Sequence, residues 1–169
     1  MTFVDYLKEY NAHIRSVDDD AVMICEHFVD DENWELGNDG ILVWRNMNHP
    51  YTKAMRRNMS EADFYGTTNG FNADGTMADW NNFGMLVGFQ ESHDEERTNY
   101  LGQWEDNSGP SIPLATRMER AKINAAFFLL VPGPKMIWQF GEIGYDYSIF
   151  EGGDRTDKKP WVTDSYMSD

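Results

Sequence analysis

The chain has 169 residues, 41% of them hydrophobic, and a formal charge of −15, so it carries enough apolar material for one sizeable core. That negative balance argues against nucleic acid or an anionic membrane as partner, because both demand positive charge. No apolar stretch approaches the ~20 residues needed to span a bilayer, and Met1-Thr2-Phe3 leads into amphipathic sequence without a basic-then-apolar leader, which leaves the compartment open.

Thr2 is suited to cap a first predicted helix, with Asp5 three residues on, near the positive end of its dipole. Phe3, Leu7, Tyr10 and Ile14 then share one face at helical spacing. The polar segment 16–20 breaks this helix, and a first strand is expected over 21–25. Its last residue, Cys25, is the single cysteine, which excludes an internal disulfide, and the chain runs directly on into Glu26. The following stretch, with Asp30-Asp31-Glu32 and Gly37-Asn38-Asp39-Gly40, reads as a loop before a second strand at 41–44. His49-Pro50 opens a helix over roughly 51–58. Residues 64–83, rich in Gly, Asn, Asp and Thr, read as a loop with at most a short helix. A third strand at 85–90 runs into Glu91-Ser92-His93-Asp94-Glu95. After a polar stretch near 106–111, a strong helix starts near Pro113, with Leu114, Met118, Ala121, Ala125 and Phe128 on one face. Pro132-Gly133-Pro134 stops it and launches a fourth strand at 135–140, which runs into Gly141-Glu142.

Short apolar runs with little polar alternation read as strands buried on both faces of a parallel sheet. In parallel α/β folds the chemistry gathers at the carboxyl ends of such strands. Three of the runs end in carboxylates, a pattern that points to a carboxylate-based active site. Six Trp, eight Tyr and ten Phe suit sugar stacking as well as core packing. Four strands are too few for an eight-stranded barrel, which typically needs ~250 residues. The periodicity therefore leaves two architectures, a small open doubly wound sheet or half of a barrel.

Three blocks bear on that choice: Val22-Met23-Ile24-Cys25-Glu26-His27-Phe28, Val87-Gly88-Phe89-Gln90-Glu91-Ser92-His93-Asp94-Glu95-Glu96-Arg97, and Pro132-Gly133-Pro134-Lys135-Met136-Ile137-Trp138-Gln139-Phe140-Gly141-Glu142. In order and spacing they resemble the ends of the fifth, seventh and eighth strands of the catalytic barrel of the α-amylase family of glycoside hydrolases, which includes glucan-branching relatives. Trp44-Arg45-Asn46 would follow the sixth. The resemblance covers roughly 3–160 and implies an α/β fold, the parallel-strand half of a (βα)8 TIM barrel with about four βα units. On it, 1–169 form a single partial catalytic domain acting on α-1,4-glucan oligosaccharides or polysaccharides such as starch or glycogen.

By the same resemblance Glu26 matches the general acid/base, Asp94 the carboxylate that stabilises the oxocarbenium-like transition state, and His93 the adjacent substrate-binding histidine. Glycosidic cleavage needs a protonated carboxyl at the leaving oxygen and negative charge near the developing cation. Desolvation beside Cys25 and Phe28 is expected to favour the acid form of Glu26. Asp94 is also suited to cap the next helix. Arg97 and Glu142 are expected in structural ion pairs, and Phe28, Trp44 and Trp138 offer ring faces for sugar or for the core.

The chain departs from the family at Cys25, where Gly is usual, and at Ser92, where Asn is usual. It also lacks two family features: the nucleophilic aspartate expected after a fourth strand, near an arginine, and the calcium-binding elaboration found earlier. Asp5, inside a helix, is a poor substitute for the nucleophile. The expectation is therefore a catalytically incomplete half of an enzyme, with neither metal nor cofactor, pairing as a homodimer through exposed strand edges at 21–25 and 135–140. Two other readings remain, a non-catalytic glucan-binding or structural module and a small hydrolase using His93, Asp94 and Glu26 around a metal. Against the latter, no second histidine sits at ligand spacing.

Overall fold

The computed structural model describes residues 2–27, 30–64, 85–105 and 110–151. Apart from Phe64, the loop expected over 64–83 lies outside these residues, as does most of the polar stretch at 106–111. The fold is α/β, with a four-stranded parallel sheet in the order β1-β2-β3-β4. β1 is Ile24–Cys25, β2 Leu42–Asn46, β3 Leu86–Phe89 and β4 Lys135–Met136. The outer strands are β1 and β4, as the sequence implies, though both are shorter than their apolar runs. The helices are α1 (Phe3–Val17), α2 (Asp30–Asn38), α3 (Asn48–Met55), α4 (Thr98–Leu101) and α5 (Leu114–Leu130), and a 3-10 turn spans Gly141–Ile143. No helix among the described residues is long and apolar enough to cross a membrane.

The chain forms two compact units. The first comprises 1–45, 65–88 and 132–135. Its α1 begins with a full capping box: the Thr2 hydroxyl accepts from Asp5 N at 3.1 Å, and the Asp5 carboxylate accepts from Thr2 N at 2.7 Å. These bonds from Thr2, backbone first, hold the Asp5 carboxyl below its ordinary value. We expect Thr2→Ala to lower stability by about 1 kcal/mol. A urea midpoint left unmoved by the substitution would mean that the cap contributes nothing.

The buried face of α1 is Val4, Leu7, Asn11 and Ile14 rather than the expected stripe through Phe3 and Tyr10, which are 64% and 52% exposed. The helical period is as read, but the phase is turned. Val4 packs with Cys25, Leu36, Ile41 and Val43 in a core that Leu7, Met23 and Leu86 flank. Asn11 turns inward because its amide donates to Asp39 O at 3.0 Å, tying α1 to the end of α2. Lys8 adds an ion pair to Glu35 at 2.6 Å.

The expected loop at 30–40 is instead α2 and its stop signal, Gly37 to Gly40. Gly40 takes φ +76°, and a Cβ there would meet Arg15 Nη1 at 3.0 Å, so both conformation and space favour glycine. β1 then pairs with β2 in parallel register, Ile24 with Leu42 and Cys25 with Val43. Burial pushes the Cys25 thiol up.

The second unit comprises 46–64, 89–131 and 136–169. In it α3, α4 and α5 pack on one another. Met47, Tyr51 and Phe128 form its apolar core, joined by Phe64 and Val131. The rings meet edge to face, Tyr51 with Phe128 at 5.8 Å and with Phe64 at 5.1 Å between centroids. Burial raises the Tyr51 phenol to about 12.

α5 starts just after Pro113, near where the sequence suggests, and Phe128 is buried as expected, but the other members of the buried face are the polar Arg117 and Asn124. Asn124 donates to Tyr51 O at 2.9 Å. Arg117 donates to Asn99 O at 2.7 Å and Ile112 O at 3.2 Å, and its Nη2 meets Asp146 Oδ2 at 2.8 Å. These side chains are inside because they hydrogen-bond backbone carbonyls of α3, of α4 and of the segment just ahead of α5.

Candidate active site

Glu26 belongs to the first unit and stands one residue beyond β1. It is exposed, so the burial expected of it beside Cys25 is absent. Its neighbour His27 is the buried member of the pair, at 9% exposure. The His27 ring stacks on Phe3 at 6.0 Å between centroids, and its Nε2 lies 2.8 Å from Glu32 Oε2. That contact anchors the strand exit to α2 and leaves Glu26 facing solvent. The same unit has an acidic turn, Asp18-Asp19-Asp20, whose carboxylate oxygens lie within 4.8 Å of one another. Here the Asp18 side chain accepts from Asp20 N at 3.1 Å, which is ordinary turn geometry.

His93 and Asp94 belong to the second unit, in the segment that leaves β3. Their neighbours hold that segment on both sides. Ser92 is buried, donates its hydroxyl proton to Glu95 and accepts from Asp94 N at 3.0 Å. Asn48 donates to Gln90 O at 2.8 Å and to Glu96 O at 2.9 Å, clamping the start and end of the segment to α3. Glu96 in turn accepts from Ser148 Oγ at 2.6 Å and Ile149 N at 2.8 Å.

At the tip of this scaffold, His93 and Asp94 are 45% and 41% exposed, with His93 Nε2 3.7 Å from Asp94 Oδ2. The Trp138 ring lies 6.3 Å from the His93 ring and is half-buried, which gives this histidine an aromatic neighbour. The structure thus brings His93 and Asp94 together on a braced, solvent-facing tip. Asp94 does not cap the next helix, since the residue before α4 is Arg97 and it makes no side-chain cap bond.

The strongest electrostatic feature of this segment is one that the sequence reading passed over. Glu91 is 6% exposed, and its Oε1 accepts from both Thr98 N and Thr98 Oγ1, at 2.8 and 2.7 Å. Burial raises its carboxyl above the ordinary value, and the Thr98 hydrogen bonds and the Arg97 charge offset only part of that rise. Arg97 is 2% exposed, places Nη1 3.6 Å from Glu91 Oε2, donates to Gln139 O at 2.9 Å and lies over the Tyr145 ring at 5.0 Å. The ion pair expected of Arg97 is therefore present. Glu142 is exposed and forms no ion pair among the described residues. Phe28 lies outside the described residues, and Trp44 is half-buried in β2.

Compared with known proteins, the sequence matches no family model and no curated relative.

Proposed function

We propose that the chain is part of an α-glucan-active glycoside hydrolase or transglycosidase, of α-amylase or branching-enzyme type, built as half of a (βα)8 barrel. Glu26 is its general acid/base, Asp94 the carboxylate that stabilises positive charge at the anomeric carbon, and His93 the group that holds substrate hydroxyls beside it. The observation supporting this reading is placement: Glu26 follows β1, and His93 and Asp94 follow β3, all exposed beyond the carboxyl ends of strands in one parallel sheet. Such ends are where parallel α/β folds carry their chemistry. In the proposed step Glu26 gives its proton to the leaving glycosidic oxygen and Asp94 stays ionised against the cationic ring, while the anomeric carbon bonds to a nucleophilic carboxylate that the resemblance assigns to the other half of the barrel. Since Glu26 is exposed, its acid role relies on bound glucan to exclude water from the carboxyl.

A second reading, a glucan-binding module without catalysis, is favoured by the His93–Trp138 neighbourhood, a ring face beside a polar ligand for sugar hydroxyls. The resemblance also places no nucleophilic aspartate within these residues. One titration tests both readings. Maltotetraose should give saturable shifts of the His93 ring and Trp138 indole resonances, lost in His93→Ala, while a β-linked tetrasaccharide gives none. An activated maltoside should remain intact. Absence of any saturable shift would remove both readings. Turnover abolished by Glu26→Gln would show that a nucleophile is present and leave the enzyme reading alone.

A further inference from the structure

The second unit contains a cleft of about 270 Å³ between α5 and the segment from β4 to the 3-10 turn. Its walls are mostly apolar, formed by Ala121, Ala125, Phe128 and Trp138 among others. Among the polar side chains that interrupt them, which include Gln90, Thr98, Lys122 and Glu142, two are buried acceptors. Glu91 and Asn99 are 6% and 3% exposed, and Glu91 Oε2 and Asn99 Oδ1 have no hydrogen-bond partner among the described residues.

Their other atoms explain why. Glu91 Oε1 is taken by Thr98, while Arg97 Nη1, 3.6 Å from Oε2, is too far for a hydrogen bond and instead donates to Gln139 O. The Asn99 amide nitrogen donates to Gly144 O. Gly141 keeps the approach to Glu91 clear, since a Cβ there would lie 3.0 Å from Oε2. Buried acceptors left unpaired are costly, and a ligand that supplies their missing partner recovers that cost.

We infer that this cleft binds a small neutral molecule with one ring-sized apolar body and a hydroxyl group directed at Glu91 and Asn99. The volume fits that size: an engineered cavity of about 150 Å³ takes a benzene molecule, so the larger space admits a ring with a short polar arm. The charge follows from the neighbours. An ammonium group at Glu91 would also face the Arg97 guanidinium, and a carboxylate would meet an ionised Glu91 and the Asn99 amide oxygen without a donor, since the lining cation Lys122 is exposed and pairs with Glu119. A hydroxyl donates to an ionised carboxylate and accepts from a protonated one, so it suits Glu91 in either state.

The test uses the 169-residue chain with benzyl alcohol, toluene and benzylamine, followed by two-dimensional NMR. Benzyl alcohol should bind at least tenfold more tightly than the other two, with shifts concentrated on the Trp138 indole, the Phe128 ring and the Ala121 and Ala125 methyls. Ala125→Leu, at an exposed helix position, fills the cleft and should weaken binding at least tenfold while circular dichroism is unchanged. If that variant does not fold, Ala121→Leu replaces it. Toluene binding as well as benzyl alcohol, or benzylamine binding better, would overturn the polar selection. Shifts elsewhere, or binding untouched by the filled cleft, would overturn the location. No saturable binding would mean that the orphan oxygens are met by water alone.

Discussion

Arg97→Met should lower stability by about 3–5 kcal/mol at pH 7, the range found when one partner of a buried ion pair is removed. The guanidinium is 2% exposed and is the cation beside a carboxyl that is itself almost fully buried. The pH dependence separates this cause from lost packing. Burial raises the Glu91 carboxyl above its unfolded value, so this group favours the folded chain most below the unfolded value, and the benefit is lost as pH rises through the folded one. Arg97 opposes that loss only while Glu91 is ionised. The difference between the wild-type chain and Arg97→Met should therefore narrow as pH falls through the folded value. What persists at low pH is the bond to Gln139 O and the contact with the Tyr145 ring. Urea midpoints across an acid-to-neutral series measure this, and a difference independent of pH would remove the charge argument.

Arg117→Ala should cost a similar amount, about 3–5 kcal/mol, by removing the buried guanidinium that pairs with the Asp146 carboxylate. It also strips hydrogen bonds from Asn99 O at the middle of α4 and from Ile112 O just ahead of α5. Arg117→Lys should recover little, because one ammonium cannot span three acceptors set around a planar fork. Full recovery in the lysine variant would show that charge alone matters at this position.

These two arginines mark where the sequence was legible and where it was not. The α1 start was readable because its signal is local: a threonine and an acidic residue three positions apart suffice for a capping box. Pro113 announced α5 in the same way. The helix phases were not readable, because hydrophobicity names the inward face only when apolar contacts decide it. In α5 the inward residues Arg117 and Asn124 answer carbonyls far away in sequence, at 99 and 51, which no local pattern records. α2 was hidden by its composition, acidic and ended by Gly37 and Gly40, with Leu36 as its one fully buried apolar anchor.

The strands were found, but the first, third and fourth were drawn too long and the second, expected at 41–44, extends to Asn46. An apolar run reports burial, whereas a strand requires a hydrogen-bonding neighbour along its whole length, and β4 finds one over only two residues. At the candidate site, exposed His93 and Asp94 were legible as a motif at a strand end. Glu91, two residues before His93, was not, because its weight comes from burial against Thr98 and Arg97 rather than from its identity.

The partition of the chain bears on how it is made. The first unit draws on 1–45, 65–88 and 132–135, and the second on the three intervening or following stretches, so the backbone passes from one to the other five times. On a ribosome that adds about 5–20 residues per second, the stretch from α1 to α2 emerges ahead of the rest of its unit, which cannot be complete until residue 135 is free of the exit tunnel. By then most of the second unit has also been synthesised. Neither unit can finish folding before much of the other has been synthesised, so β2 waits for its second neighbour until β3 has emerged. A pause placed before residue 132 would prolong that incomplete state.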